Sequence, residues 1–143
     1  MKRFIITDLS ILKKISEDVL PEEIDAILQD LEDTLDLKRG IGLASIQIGI
    51  PKKIAIIRIG DIKINLINAY IIEKSDRFRF KNEGCLSLPN LHVDTIRYNN
   101  LKIMNNGKEE NYTGLVACAC LHEIQHTAGK LITDIGIIWR NIK

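Results

Sequence analysis

Apolar residues change their period twice along this 143-residue chain, and few folds accommodate both changes. Ile24, Ile27, Leu28, Leu31 and Leu35 recur at spacings of three and four, the stripe of an amphipathic helix. Pro21-Glu22-Glu23 opens that helix with proline at its first position and acids against the positive dipole end; Lys38 and Arg39 suit its last turn, and Gly40 stops it. A shorter helix is expected over Ser10 to Val19. From Pro51 to Tyr112 the character turns to strand. Lys53 to Ile59 and Ile62 to Ile72 are rich in isoleucine around a Gly60-Asp61 turn, and Arg77 to Lys81 alternates with period two. His92 to Tyr98 and Asn100 to Asn105 read as two further strands, followed by Asn106-Gly107, a strong hairpin signal. Helical character returns at Thr113, an apt N-cap, and runs to about Thr127 before Gly129. The expectation is one domain over 1–143, of α+β class: mixed or antiparallel strands packed around a central helix, with further helices at the N-terminus.

The last of those helices carries Leu121-His122-Glu123-Ile124-Gln125-His126. Four residues are just over one helical turn, so the two imidazoles leave the same face and can grip one cation. Glu123 points roughly 100° away, within reach of a water on that cation. Neutral imidazoles bind the ion, the ion lowers the pKa of water, and the carboxylate moves its proton. The motif is short enough to arise by chance, and a lone histidine on a helix is usually structural.

A catalytic metal site needs a third protein ligand and an open position. Cys85 is the first candidate, in Glu83-Gly84-Cys85-Leu86-Ser87-Leu88-Pro89, where Gly84 and Pro89 mark a bend. Read alone, such a cysteine is more often an inert buried thiol. Cys118, one turn before His122, falls in an apolar run and is the weaker contender, and Cys120 reads as core. A closed, purely structural site would draw on His92 or Cys118 as a fourth ligand. Gly40 to Gly49 holds three glycines in ten residues, which lets a backbone approach a ligand closely. It lacks the lysine of a phosphate-binding loop. Gln47, polar among apolar neighbours, must find a partner, and the bland reading is a satisfied core glutamine.

Composition narrows the setting. A net charge of +1 leaves no footprint for nucleic acid or an anionic membrane, and no run approaches the ~20 apolar residues of a membrane span. Three cysteines, two of them two residues apart, make a poor disulfide framework and fit a reducing compartment. The N-terminus meets Asp8 before a signal-peptide core develops.

In this order the three segments resemble the peptide deformylase family. That family carries a glycine-rich G-x-G-L-A-x-x-Q-x-G element, then E-G-C-L-S, then H-E-x-x-H; here these are Gly40 to Gly49, Glu83 to Ser87 and His122 to His126. The resemblance implies removal of the N-formyl group from the initiator methionine of nascent polypeptides, with release of formate. It implies Cys85, His122 and His126 as metal ligands and Glu123 as general acid and base. Gln47, by its amide, and Leu86, by its backbone N–H, would hold the formyl oxygen. Ile41, Gly42, Leu115 and Cys118 would line the substrate cleft, where peptide binds as an added strand. One divalent ion is implied, Fe²⁺ in the cell with Zn²⁺ or Ni²⁺ able to replace it. Formyl-methionyl peptides are the implied partners, the ribosome stays open as another, and the location is cytoplasmic: bacterial, or a host's if the chain is phage-encoded. Departures from the pattern are Leu121, Gln125 and Thr127, where glutamine, aspartate and leucine are common, Ser45-Ile46 in place of alanine-proline, and a short tail after Gly129 like that of compact phage forms. Trp139 is expected to pack that tail onto the body. Two rivals stay open on the residues: a metallopeptidase built on the same histidine pair, and a non-catalytic domain braced by metal.

Overall fold

A computed structural model describes residues 1–38 and 40–141, with the side chains of 38 and 138–141 outside that description. Arg39 and the Trp139 side chain therefore lie outside the described residues. The long N-terminal helix forms as its periodicity demands. Pro21–Glu23 is a 3₁₀ turn whose Glu23 carboxylate accepts from the Leu20 N–H at 2.9 Å, and α2 continues over Ile24–Lys38. It is preceded by α1, only Leu9–Leu12, so the helix expected to Val19 is corrected. Beyond Lys13 the backbone finds other partners: Ser16 N–H donates to Thr127 O at 2.9 Å, Glu17 bridges Lys52, and Val19 N–H donates to Asn68 Oδ1 at 2.8 Å. Tertiary hydrogen bonds outcompete a marginal local helix here.

Strands β1 (Gly42–Ala44), β2 (Ile54–Ile59) and β3 (Ile62–Ile67) form one antiparallel sheet in that order. The second sheet is β4 (Tyr70–Cys85) against β5 (Leu88–Asn105), with β6 (Lys108–Thr113) and β7 (Gly136–Asn141) pairing to the two halves of β5. All these pairings are antiparallel, which settles the mixed alternative. The isoleucine run from Ile62 is not one strand to Ile72. Asn68 takes φ 50°, and the chain there leaves the first sheet for the second. The two strands expected over 92–105 are one continuous β5. Asn106 (φ 50°) and Gly107 (φ 79°) both sit in the left-handed region, as the twist of a two-residue hairpin turn requires.

The near-continuous apolar run of β2 has a direct cause: its sheet is covered on both faces. Ile54 and Ile56 pack with Ile27, Leu31 and Leu35 of α2, while Ala55 and Ile57 pack with Ala117, Cys120, Leu121 and Ile124. The latter belong to α3 (Gly114–Thr127), which lies against β1, β2 and β5. Each buried leucine or isoleucine there contributes about 1.5–3 kcal/mol. Thr113 stands at the N-cap position but makes no side-chain cap hydrogen bond. A short α4 (Ile132–Ile135) follows Gly129, whose φ of 74° lets the chain turn against Lys13 O. No helix among the described residues is long and apolar enough to cross a membrane.

Candidate metal centre and cleft

Helix α3 presents two stripes. Ala117, Cys120, Leu121 and Ile124 face the core, while Leu115, Cys118, Ala119, His122 and Glu123 line a cleft of about 450 Å³. The opposite walls are the glycine-rich segment (Gly40, Ile41, Gly42, Gln47) and the end of β4. Cys85 is the last residue of β4; it pairs with Leu88 across the Leu86-Ser87 turn, so the expected bend falls immediately after it. That turn carries the thiol to α3.

The Sγ of Cys85 and the ring nitrogens of His122 and His126 all lie within 4.8 Å of one another. Cys85 Sγ stands 3.5 Å from His126 Nε2. Two ligands of one tetrahedral ion, bonded at ~2.3 Å and ~2.05 Å, sit about 3.5 Å apart. The donor set and its spacing therefore fit a divalent cation. Among the described residues no other such group of donors occurs, and His92 and Cys118 are outside it. Cys118 is buried beside the cleft, and Cys120 is fully buried in the core.

Two imidazoles with ring centres 5.0 Å apart do not both accept a proton. Burial pushes His126 far below its ordinary range and the neighbouring His122 adds to it, leaving a neutral ring suited to bind metal. His122 is held well above its range: burial opposes this, but Glu123, Cys85 and Glu83 together outweigh it. Glu123 is itself buried, and that burial pushes its carboxyl up to about 7, with His122 pulling the other way. Its Oε1 finds no hydrogen-bond partner among the described residues, nor does Nδ1 of His126.

Behind the donors stands a polar network that the motif reading did not single out. Glu83 Oε2 lies 2.6 Å from His122 Nδ1. Thr95 Oγ1 donates to Glu83 Oε1 at 2.8 Å, and Arg97, wholly buried, grips both Glu83 oxygens through Nε and Nη2. Burial alone would raise the Glu83 carboxyl, yet hydrogen bonds from Arg97 and His122 hold it down at about 2. Arg97 Nη1 also donates to Gln125 Oε1 at 2.6 Å. Nothing local marked Glu83 as the partner of Arg97: the register shifts between Glu83 and Cys85, and Arg97 pairs with Phe78. Phe80 and Asn82, also on the cleft wall, were missed because bulges near Phe80 and Glu83 break the alternation.

Gln47 lies in a 3₁₀ turn (Ser45–Ile48) that follows β1 and ends at Gly49 (φ 85°). Its Oε1 accepts from Ala44 N–H at 3.0 Å, and its Nε2 donates to Ser87 Oγ at 3.1 Å and toward Cys85 Sγ at 3.6 Å. It is thus both a satisfied buried glutamine and a neighbour of the candidate metal donors. Gly42 has a specific reason to be glycine: a Cβ there would stand 2.7 Å from Glu123 Oε2 and 3.2 Å from Ile56 O. Gly42→Ala should accordingly displace the Glu123 carboxylate and lower turnover at least tenfold while leaving the unfolding midpoint within a few degrees. Turnover equal to wild type would show that the carboxylate tolerates displacement.

Comparison with known proteins gives the family and the fold. The polypeptide deformylase family model matches residues 1–136. A peptide deformylase of Acetivibrio thermocellus is 37% identical over 136 residues, covering 87% of this chain and 76% of that protein. The crystal structure of a peptide deformylase from Thermotoga maritima superposes with a TM-score of 0.86 at 28% identity, covering 96% of this chain and 99% of that one. One from Synechococcus elongatus, in complex with actinonin, gives 0.84 at 27% identity, covering 95% and 78%.

Proposed function

Because this chain belongs to the polypeptide deformylase family, we infer that it removes the N-formyl group from the N-terminal methionine of nascent polypeptides in a metal-dependent hydrolysis. The observation that carries the reading is the meeting of Cys85 with His122 and His126 at a cleft that Cys85, His122 and Glu123 line.

Cys85, His122 and His126 would hold the cation. When bound, it supplies Lewis acidity, making water a nucleophile near neutral pH and polarising the formyl carbonyl. Glu123 takes the proton of the attacking water and returns it to the departing methionine nitrogen. The new bond is C–O, the broken bond is C–N, and formate and a free amine leave. Gln47 Nε2 and the Leu86 N–H would steady the charge on the formyl oxygen; a preorganised donor of this kind is worth about 2.7–4 kcal/mol. Ser87 and the Ala44 N–H hold the Gln47 amide at 3.1 and 3.0 Å, and the N–H that reaches only loosely toward Cys85 at 3.6 Å would be the one left for substrate. Ile41 and Leu115, both roughly half exposed at the cleft, would receive the methionine side chain with Cys118 beneath. β1 is the edge of its sheet, where a peptide would add as a further strand.

The resident ion would be Fe²⁺ in the cell, with Zn²⁺ or Ni²⁺ able to take its place, since a thiolate and two imidazoles suit all three. The chain acts as a single catalytic domain over 1–143, in the cytoplasm of a bacterium or, if phage-encoded, of its host. Its three cysteines are free, which suits a reducing compartment, and the ribosome, where formylated chains emerge, is the natural place of encounter. The test is stoichiometric formate release from formyl-Met-Ala-Ser by anaerobically purified protein. Chelation should abolish it and added Fe²⁺ restore it, with no cleavage of the unformylated peptide. A metal-loaded sample that yields no formate would overturn the reading.

A further inference from the structure

We propose that Gln125, acting through Arg97 and Glu83, sets how tightly His122 holds the metal ion. The proposal rests on the deformylase reading and extends it to a positioning residue outside the donor set. The chain of contacts is continuous: Gln125 Oε1 accepts from Arg97 Nη1 at 2.6 Å, Arg97 Nε donates to Glu83 Oε1 at 2.7 Å, and Glu83 Oε2 meets His122 Nδ1 at 2.6 Å.

Each link has a defined electrical consequence. A carboxylate accepting from Nδ1–H fixes the tautomer, directs Nε2 at the ion and makes the ring a stronger donor. How much negative charge Glu83 has to offer depends on what else consumes it. Arg97 takes both of its oxygens, and Arg97 is fully buried, so solvent does not dilute its charge. The third arm of the guanidinium ends on Gln125, which accepts a hydrogen bond but carries no charge. Among the described residues the hydrogen bonds of Arg97 to a charged acceptor therefore all go to Glu83, and His122 sees a carboxylate already partly neutralised. A charged residue at 125 would share the load, free Glu83 toward His122 and tighten the site.

Gln125→Glu makes the change with nearly the same shape, on a half-buried position. Zinc affinity is read by competition with a chelator, for wild type, Gln125→Glu, Glu83→Gln and the double variant, with the absorption bands of the Co²⁺ forms as a second readout. The expected result is about tenfold tighter zinc for Gln125→Glu, with shifted Co²⁺ bands. The gain should vanish in the Glu83→Gln background, because the route runs through that carboxylate. An affinity within twofold of wild type for Gln125→Glu would overturn the proposal. The same gain persisting without Glu83 would also overturn it, since a direct field from residue 125 would then suffice. Wild-type protein that binds no zinc at all would instead refute the metal-dependent reading beneath it.

Discussion

Glu123→Gln should lower kcat/KM for formyl-Met-Ala-Ser by about 10²–10⁴-fold, the usual contribution of a positioned general acid–base. The amide matches the carboxylate in shape, so the close fit beside Gly42 survives, and Cys85, His122 and His126 would remain to bind one metal equivalent. Metal content near that of wild type, measured on the same sample, separates loss of proton transfer from loss of the ion. A stability readout adds a sign. Burial raises the Glu123 carboxyl in the folded, metal-free protein to about 7, above its unfolded value of 4.5. The folded state therefore binds this proton more tightly, and the group costs stability as pH rises from 4.5 through 7. Metal-free Glu123→Gln escapes that cost and should unfold at higher urea than wild type at pH 8, with the gap closing below pH 4.5. Full activity in the variant would remove Glu123 from the mechanism.

Arg97→Met should be the most destabilising change outside the apolar core. It leaves Glu83 with its charge, deep in the protein, without the cation that grips both its oxygens. Breaking one half of a buried ion pair costs about 3–5 kcal/mol, a large part of a typical domain's stability. Urea unfolding of the metal-free protein reads the loss. Adding Glu83→Gln to Arg97→Met should recover part of it, because the stranded charge is then gone. A loss below about 1 kcal/mol would mean that Glu83 finds another partner or a proton at little cost.

Both predictions act on residues of different legibility. Glu123 was visible in the sequence because the helical period alone places His122 and His126 on one face and Glu123 beside them. Cys85 was visible only as a candidate, a thiol near a bend; nothing local says that the Leu86-Ser87 turn delivers it to α3. Arg97 was not visible at all. It sits in a strand with other polar residues, opposite Phe78 rather than Glu83 in the register, and only the packed side chains bring its guanidinium to that carboxylate. Similarly, α2 was read correctly because its stripe and its proline-acid opening agree, whereas the segment from Lys13 to Val19 has no such agreement and yields to Thr127, Asn68 and Lys52.

What the sequence by itself determined is what depends on neighbours within a turn or a pleat, namely the two long helices, the Asn106-Gly107 hairpin and the histidine pair with its glutamate, together with the family, which three separate motifs in fixed order revealed. What only the tertiary structure decided is what depends on residues distant along the chain. The covering of β2 on both faces, the arrival of the Cys85 sulfur at His126, and the buried Arg97–Glu83 pair behind His122 are all of this kind. Period and capping are properties of a few consecutive residues, while a metal site and a buried ion pair exist only once packing has fixed which side chains share a dry space.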